Sequence, residues 1–155
     1  MAMDAHKDME AEIRARIEDM HEKVPNSIGD QFRFRLVSCD IESGLYTLQC
    51  RTQEWMRNPA GILHGGMGAT ILDQAMGFIA FCAKPKEGIS PTVQLNVTYH
   101  RPLIPGEDVV VRVKLLSVTR SLINLSAEAA QASSPERICL TGSATCFCKH
   151  TKPLI

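Results

Sequence analysis

The sequence predicts one α+β domain, in which a curved antiparallel sheet of about six strands wraps around a long central helix. Two observations lead to this prediction. The segment 67–83 is apolar on every side of a helical wheel, and a helix of that kind belongs in the middle of a core. About six other segments alternate apolar and polar residues and have short connections, which favours antiparallel strands. The sheet must therefore curl around the helix.

Composition and charge exclude several classes of protein. The 155 residues suffice for one domain with its own core. The 17 basic residues balance the 17 acidic ones, so there is no electrostatic case for binding nucleic acid or an anionic membrane. The start of the chain lacks the apolar region of a signal peptide, and Asp73 interrupts the apolar segment that is almost long enough to cross a bilayer. We expect a soluble cytoplasmic protein.

The six cysteines form no CxxC pair and have no histidine nearby at zinc-finger spacing. Thiols used in this way are small apolar core residues in a reducing compartment. The alternative is a metal or redox role for these thiols, which the spacing disfavours, so the sequence predicts no metal site.

The first element is an amphipathic helix over residues 3–23. Its apolar side chains recur every three or four residues with charged residues between them, which is typical of a helix packed on the outside of a core. The helix ends near Pro25. We expect residues 1–24 to form this helix and residues 25–155 to form the single domain beneath it.

Alternation with a period of two begins at Gln31. Apolar residues at 32, 34 and 36, and again at 46, 48 and 50, flank the turn-prone segment 40–44, which predicts a hairpin. After the central helix and a loop over 84–88, four more alternating segments follow at about 92–99, 109–115, 123–129 and 138–146.

The central helix begins in a glycine-rich loop, Asn58 to Gly66. Gly65 and Gly66 carry no Cβ, so a ligand can approach their backbone closely. Free N–H groups at a helix start favour an oxygen that carries negative charge. Such a start can polarise a carbonyl and stabilise the oxyanion formed on attack. The alternative is a glycine-rich turn that only leads the chain into the helix.

Asp73 is the one carboxylate within this apolar helix. We expect it to be buried, which is costly for a carboxylate unless it has hydrogen bonds, a partner or a function. It could attack an acyl carbon directly or activate a water molecule. The alternative is a structural carboxylate bonded to a neighbouring chain or a bound water.

The spacing between the helix start and Asp73 predicts how the site is assembled. Eight residues separate Gly65 from Asp73, which is about 12 Å along a helix. A reacting carbon must lie about 3 Å from both the oxyanion donor and the attacking group. Two helices lying antiparallel across a two-fold axis would bring Gly65 of one chain near Asp73 of the other. We therefore expect two sites per dimer and no competent monomer.

Three further residues could take part in chemistry. Asn58 and His64 flank the glycine turn and could bind a carbonyl or only hold the loop. Thr92 is expected on the polar face of the strand that follows the helix, where its hydroxyl could orient a water. The sequence contains no GxSxG elbow, phosphate-binding glycine loop or dinucleotide fingerprint.

Two blocks of sequence resemble a known family. Asn58, the run Leu63-His64-Gly65-Gly66 and Asp73, followed by the segment 94–102 and Gly106-Glu107, resemble the hot-dog-fold acyl-CoA thioesterases of the phenylacetate (PaaI) type. The likeness covers roughly residues 25–150. It implies a long helix wrapped by a curved antiparallel sheet, and a homodimer that usually pairs again into a homotetramer.

The resemblance also implies catalytic roles. Asp73 would be the nucleophile or general base, acting across the interface from Gly65 and His64. The Gly65 amide, together with Gly66, would polarise the thioester carbonyl, and Asn58 and His64 would position the substrate. Thr92 stands where relatives have a serine or threonine that orients the water.

Coenzyme A would enter as part of the substrate, not as a cofactor. Surface cations are the candidates for its phosphates, namely Lys84, Lys86, Arg101 and Arg120. The depth of the acyl pocket depends on the packing of Met67, Met76 and Phe78, which leaves aromatic and medium-chain acyl groups open. The alternative is a hot-dog protein that binds acyl-CoA without turnover. A hydratase of the DxxxxH type is disfavoured because position 78 is Phe.

Overall fold

The predicted α+β architecture is confirmed by the computed structural model, which describes residues 2–83 and 90–148. Three helices are present in these residues: α1 (Ala2–Lys23), α2 (Ile28–Gln31) and α3 (Gly65–Cys82). Six strands are present: β1 (Arg35–Asp40), β2 (Leu45–Arg51), β3 (Thr92–Tyr99), β4 (Asp108–Val118), β5 (Leu122–Gln131) and β6 (Ile138–Phe147). A short 3₁₀ turn, Glu54–Met56, lies between β2 and α3.

The six strands form one sheet in the order β1-β2-β4-β5-β6-β3, with every neighbouring pair antiparallel. Irregularities in register interrupt four of the five pairings. Bulges of this kind bend a strand and increase its twist, so they help the sheet to curve around α3. Strand β3 lies at one edge of the sheet, and most of its residues are exposed.

Helix α3 fills the hollow of the sheet and packs against five of its strands. Nine of its residues are buried, including Ile71, Leu72 and Ile79. Gly142 of β6 lets the helix approach closely, because a Cβ there would lie 2.9 Å from the Leu72 side chain and 2.7 Å from the Asn96 carbonyl oxygen. The helix is not covered on all sides, however, and one stripe of it stays partly exposed.

Helix α1 packs against both α3 and β1. Ile13 and Ile17 of its apolar face are buried in the same core as α3. The predicted amphipathic helix over 3–23 is therefore present, and it covers part of the central helix that the sheet leaves open.

The prediction that alternating strand structure begins at Gln31 is wrong. Residues 28–31 form one turn of helix, with the Ser27 side chain accepting a hydrogen bond from the Asp30 backbone N–H. Arg33 then has a positive φ of 48°, so the strand begins only at Arg35. Phe32 and Phe34 are buried as the alternation implied, but they belong to a turn.

A buried carboxylate, Asp30, holds this turn against α1. It accepts hydrogen bonds from the Asn26 backbone N–H at 2.8 Å, from His21 Nδ1 at 2.8 Å and from Arg33 at 2.9 Å. The Asn26 N–H, followed by His21 and the positive charge of Arg33, lowers the pKa of the Asp30 carboxyl below its ordinary value of 3.8.

The described cysteines are free thiols, and four of them (Cys50, Cys82, Cys139 and Cys146) are buried. Burial raises the pKa of the Cys50 thiol, and it raises that of Cys82 to about 12. These groups stay protonated and behave as small apolar residues. Within the described residues, no helix is long and apolar enough to cross a membrane.

We predict that Asp30→Asn lowers the melting temperature at neutral pH. A carboxyl whose pKa is lower in the folded state stabilises the protein above its unfolded pKa and loses that contribution as pH falls through the folded value. The difference in melting temperature between wild type and variant should therefore shrink as the pH is lowered below about 4. Thermal unfolding from pH 7 to pH 2.5 measures it, with exposed Glu18→Gln as the control. A difference that stays constant with pH would contradict this role.

Candidate active site

The start of α3 presents one free donor. His64 caps the helix, and its Nδ1 accepts a hydrogen bond from the Gly66 N–H at 2.9 Å. The Tyr99 hydroxyl donates to the Gly65 carbonyl at 2.6 Å. Within the described part of the chain, the Gly65 N–H has no hydrogen-bond acceptor. Of the two glycine amides singled out in the sequence, Gly65 is therefore the one open to a ligand.

The cap also determines which tautomer His64 adopts. Because Nδ1 accepts the Gly66 N–H, the neutral ring carries its proton on Nε2. The residue is exposed and precedes Gly65 in the chain, so this Nε2–H can serve as a second donor at the helix start. The positive end of the helix dipole lies at the same point.

Asn58 holds the loop that precedes the helix. Its Oδ1 accepts from the backbone N–H groups of Ala60 at 2.9 Å and Ile62 at 3.3 Å. Its own N–H donates to the Ile62 carbonyl at 2.8 Å. These contacts close a tight turn and set the position of His64, so the side-chain oxygen of Asn58 has a structural role in this chain.

A cleft of about 410 Å³ opens beside the helix start. Asn58, His64, Gly65 and Tyr99 line it, together with Arg101 at the end of β3. The volume is in the range of small-molecule sites. The N-terminal donors of α3 therefore face a space large enough for a substrate.

Asp73 lies on the partly exposed stripe of α3. Thr92 Oγ1 donates a hydrogen bond to its Oδ1 at 2.8 Å. The expectation of a buried carboxylate is therefore wrong for the single chain, and the hydrogen bond that such a carboxylate requires is present. The sheet covers the side of α3 that is opposite Asp73, and Thr92 is the hydrogen-bond partner of the Asp73 carboxylate.

Thr92 does not lie on the polar face of β3, as the alternation predicted. A register shift between Thr92 and Gln94 places Thr92 opposite Cys146, whose side chain is buried in the core. The extra residue turns the Thr92 side chain toward α3, where its hydroxyl reaches Asp73.

The single chain does not bring all the predicted site residues together. Asn58, His64 and Gly65 line the cleft, whereas Asp73 and Thr92 are absent from its lining. Gly65 is tied to one end of β3 through Tyr99, and Asp73 is tied to the other end through Thr92. Thr92 and Tyr99 are seven residues apart in β3, which corresponds to about 23 Å along the strand.

Comparisons with known proteins decide the family. A model of the thioesterase superfamily matches residues 60–137, which is half of the chain. This chain belongs to the thioesterase superfamily. The predicted thioester hydrolase is thereby confirmed. The matched residues include Gly65, Asp73, Thr92 and Tyr99.

Individual relatives agree with that assignment. The chain is similar to acyl-coenzyme A thioesterase 13 of Homo sapiens, with 29% identity over 112 residues that cover 72% of this chain and 74% of the human protein. Its fold is similar to that of a phenylacetic acid degradation-related protein from Ralstonia eutropha JMP134, with a TM-score of 0.73 and 22% identity, covering 85% of this chain and 98% of the other. The PaaI protein of the E. coli phenylacetic acid degradation operon has a TM-score of 0.73 and 12% identity, covering 92% and 98%. The predicted hot-dog fold is confirmed.

The remaining predicted substrate residues differ in accessibility. Gly66 is exposed, and Met67 is partly buried against the core. Met76 is fully buried, so it has no surface to offer a substrate. Lys84 and Lys86 lie outside the described residues. Among residues 2–83 and 90–148, no group of three or more His, Cys, Asp or Glu side chains is arranged to hold a metal ion.

The two arginines proposed for the coenzyme phosphates lie at opposite ends of the sheet. Arg101 borders the cleft, and its Nη1 donates to the Ile138 carbonyl at 2.7 Å. Arg120 is exposed in the β4–β5 turn, at the end where Leu122 pairs with Phe147.

Tyr99 is the site residue that sequence reasoning missed. Its alternation with Val97 and Leu95 indicated only a core residue. A tyrosine hydroxyl normally finds a hydrogen-bond partner, and its position at the end of a strand was the available signal. The structure shows that partner to be the first carbonyl of α3.

We predict that Tyr99→Phe lowers the free energy of unfolding by about 1 kcal/mol, because it removes one hydrogen bond and keeps the ring. Urea unfolding followed by circular dichroism measures the change. Thr98→Val, at the exposed neighbouring position of the same strand, is the control for the substitution of a β3 hydroxyl. Equal stability of Tyr99→Phe and wild type would show that the contact does not hold the helix start.

Proposed function

We propose that this protein is an acyl-CoA thioesterase that hydrolyses an acyl-CoA to the free acid and CoA. The observation that carries the proposal is the free N–H of Gly65, a residue at the start of α3 that lines a cleft of substrate size. Membership of the thioesterase superfamily and the similarity to a protein named acyl-coenzyme A thioesterase 13 support it. Coenzyme A enters as part of the substrate.

The helix start stabilises the charge that develops on the thioester oxygen. The Gly65 N–H and the His64 Nε2–H donate to that oxygen, and the helix dipole adds to their effect. Asn58 and Tyr99 hold this donor pair through their contacts with the loop and with the Gly65 carbonyl. The donors are preorganised, because neither the cap nor the loop has to rearrange on binding.

Asp73 supplies the attacking group by one of two routes. In the direct route, its carboxylate attacks the thioester carbon, the C–S bond breaks, and CoA leaves as a thiolate that takes up a proton. Water then hydrolyses the resulting anhydride. In the other route, Asp73 takes a proton from the water that attacks the carbon, the C–S bond of the resulting intermediate breaks, and the departing CoA thiolate takes up the proton. Thr92 holds the carboxylate in both routes, and its oxygen can accept a hydrogen bond from the water.

Both halves of the site meet in a homodimer. In an antiparallel pair of α3 helices that sets Gly65 beside the partner's Asp73, the two axes cross near position 69. Ala69, Gly66 and Thr70 lie near this crossing, and small side chains allow close approach. The outer edge of β3 also offers its backbone N–H and C=O groups to a strand of the same partner chain. We expect such dimers to pair further into tetramers.

We predict that Asp73→Asn lowers kcat by about 10³-fold or more, since the amide can neither attack nor act as a base. The amide oxygen still accepts the Thr92 hydroxyl, so the fold is retained. Release of CoA from short, medium, long and phenylacetyl thioesters measures kcat, with a blank for the six protein thiols. Acyl-CoA binding by both forms with turnover by neither would contradict the enzyme and support the binding protein.

We predict that Gly65→Pro lowers kcat by about 10²-fold or more, because it removes the N–H that stabilises the oxyanion. Proline is tolerated at the first position of a helix, and the His64 ψ of 134° suits the residue before a proline. Gly65→Ala is the matched control, because it keeps the N–H and its Cβ has ordinary contacts with Tyr99 at 3.5 Å.

Mixing the two variants tests where the site lies. Heterodimers of Gly65→Pro and Asp73→Asn chains contain one intact site if the site crosses the interface. Statistical exchange should then restore about a quarter of wild-type activity. A mixture that stays inactive after verified exchange would place both groups of a site in one chain.

A further inference from the structure

A second cavity lies on the far side of α3 from the cleft. It is a groove of about 470 Å³ between α1 and α3. Met20 of α1 and Val24, which follows the end of α1, form one wall, and Gly77, Phe78 and Phe81 of α3 are on the other side. Most of the surface that lines the groove is apolar, which suits an apolar ligand.

Gly77 keeps the groove open. A Cβ at this position would meet no atom within 4 Å, so the space in front of it is empty. Glycine in the interior of a helix costs about 1 kcal/mol relative to alanine, and nothing in the packing of α3 requires it here. A larger side chain at position 77 would project into the groove.

Asp73 lies one helical turn before Gly77 on the same face of α3 and is not among the residues that line the groove. Asp73, Gln74, Gly77 and Phe81 follow one another at helical spacing on the partly exposed stripe of α3. The distance from Asp73 to Phe81 is about 12 Å along the helix, close to the length of an extended alkyl chain of about ten carbons. An acyl chain whose carbonyl lies at Asp73 can therefore run along the stripe into the groove.

The rim and the far end of the groove are polar. The Arg16 guanidinium lies over the Phe81 ring, 3.3 Å from its centroid, and Lys23 pairs with Asp19 at 2.8 Å. Long cationic side chains can cover apolar surface with their stems while the charge stays in water. These stems would cover a hydrocarbon tail bound in the groove, where Gln74 is a further polar side chain of the lining.

In the dimer proposed above, the partner's α3 does not extend over this groove. With the helices crossing near position 69, position 77 lies beyond the start of the partner's α3. That helix therefore does not occupy the groove.

We infer that the groove between α1 and α3 binds the aliphatic acyl tail of the substrate, with Gly77 as the residue that admits it. This inference rests on the proposed function and narrows its substrate class to medium-chain acyl thioesters. It also assigns a role to the N-terminal helix, which forms the outer wall of the tail site.

The test fills the groove and compares chain lengths. In Gly77→Leu, the ratio of kcat/KM for decanoyl-CoA to that for butyryl-CoA should fall at least tenfold relative to wild type. Val24→Asp, which puts a charge on the opposite wall at an exposed position, should lower the same ratio. Ala15→Leu, on the exposed side of α1, is the matched control and should leave it unchanged.

Three results would overturn the inference. One is an unchanged ratio in both groove variants. Another is an equal loss with phenylacetyl-CoA, which would make the groove an aromatic site. The third is a changed oligomeric state of Gly77→Leu in analytical ultracentrifugation, which would make the groove an interface between copies.

Direct binding separates this inference from the proposed function. Decanoate binding, measured by calorimetry, should weaken at least tenfold in Gly77→Leu and not in Ala15→Leu. If wild type hydrolyses no acyl-CoA, the proposed function fails, and the decanoate measurement alone decides whether the groove binds an alkyl chain.

Discussion

The burial of α3 is the constraint on which the rest of the structure depends. The helix is so apolar that it must be covered on several sides, and five strands and α1 together provide most of that cover. A curved sheet cannot enclose a helix completely, so one stripe from Gly66 to Phe81 stays partly open. That stripe carries Asp73, and the opening that results from incomplete enclosure is the surface on which chemistry can take place.

Two hydrogen bonds determine how the helix lies on its edge strand. Tyr99 binds the Gly65 carbonyl, and Thr92 binds the Asp73 carboxylate, so β3 and α3 run in opposite directions. A strand rises by about 3.3 Å per residue and a helix by 1.5 Å. The part of β3 from Thr92 to Tyr99 is therefore longer than the part of α3 from Gly65 to Asp73, and the two contacts hold α3 against both ends of β3. The Gly65 amide and the Asp73 carboxylate stay apart in one chain, which is a physical reason for the proposed active site shared between two chains.

Periodicity predicted most of the fold and located the candidate site, because both depend on which residues are apolar. It gave α3, the N-terminal helix and the strands β2 to β6. Periodicity could not predict features that depend on single residues that depart from the apolar pattern. The bulge at Thr92 reverses which face that side chain occupies, and Asp30 depends on partners from a neighbouring helix and turn. The exposure of Asp73 was missed because apolarity does not reveal which side of a helix its neighbours cover.

Different parts of α3 have different proposed roles. The first turn contains the donors, the middle contains Asp73, and the last turns border the groove under α1. Because α1 contributes no group to the proposed donor pair or to the carboxylate, changes at Met20 or Val24 would alter the space of the groove and leave the proposed reacting groups in place. If the groove binds the acyl tail as inferred above, the helix that completes the core is the part of the molecule in which chain-length preference varies independently of the reaction.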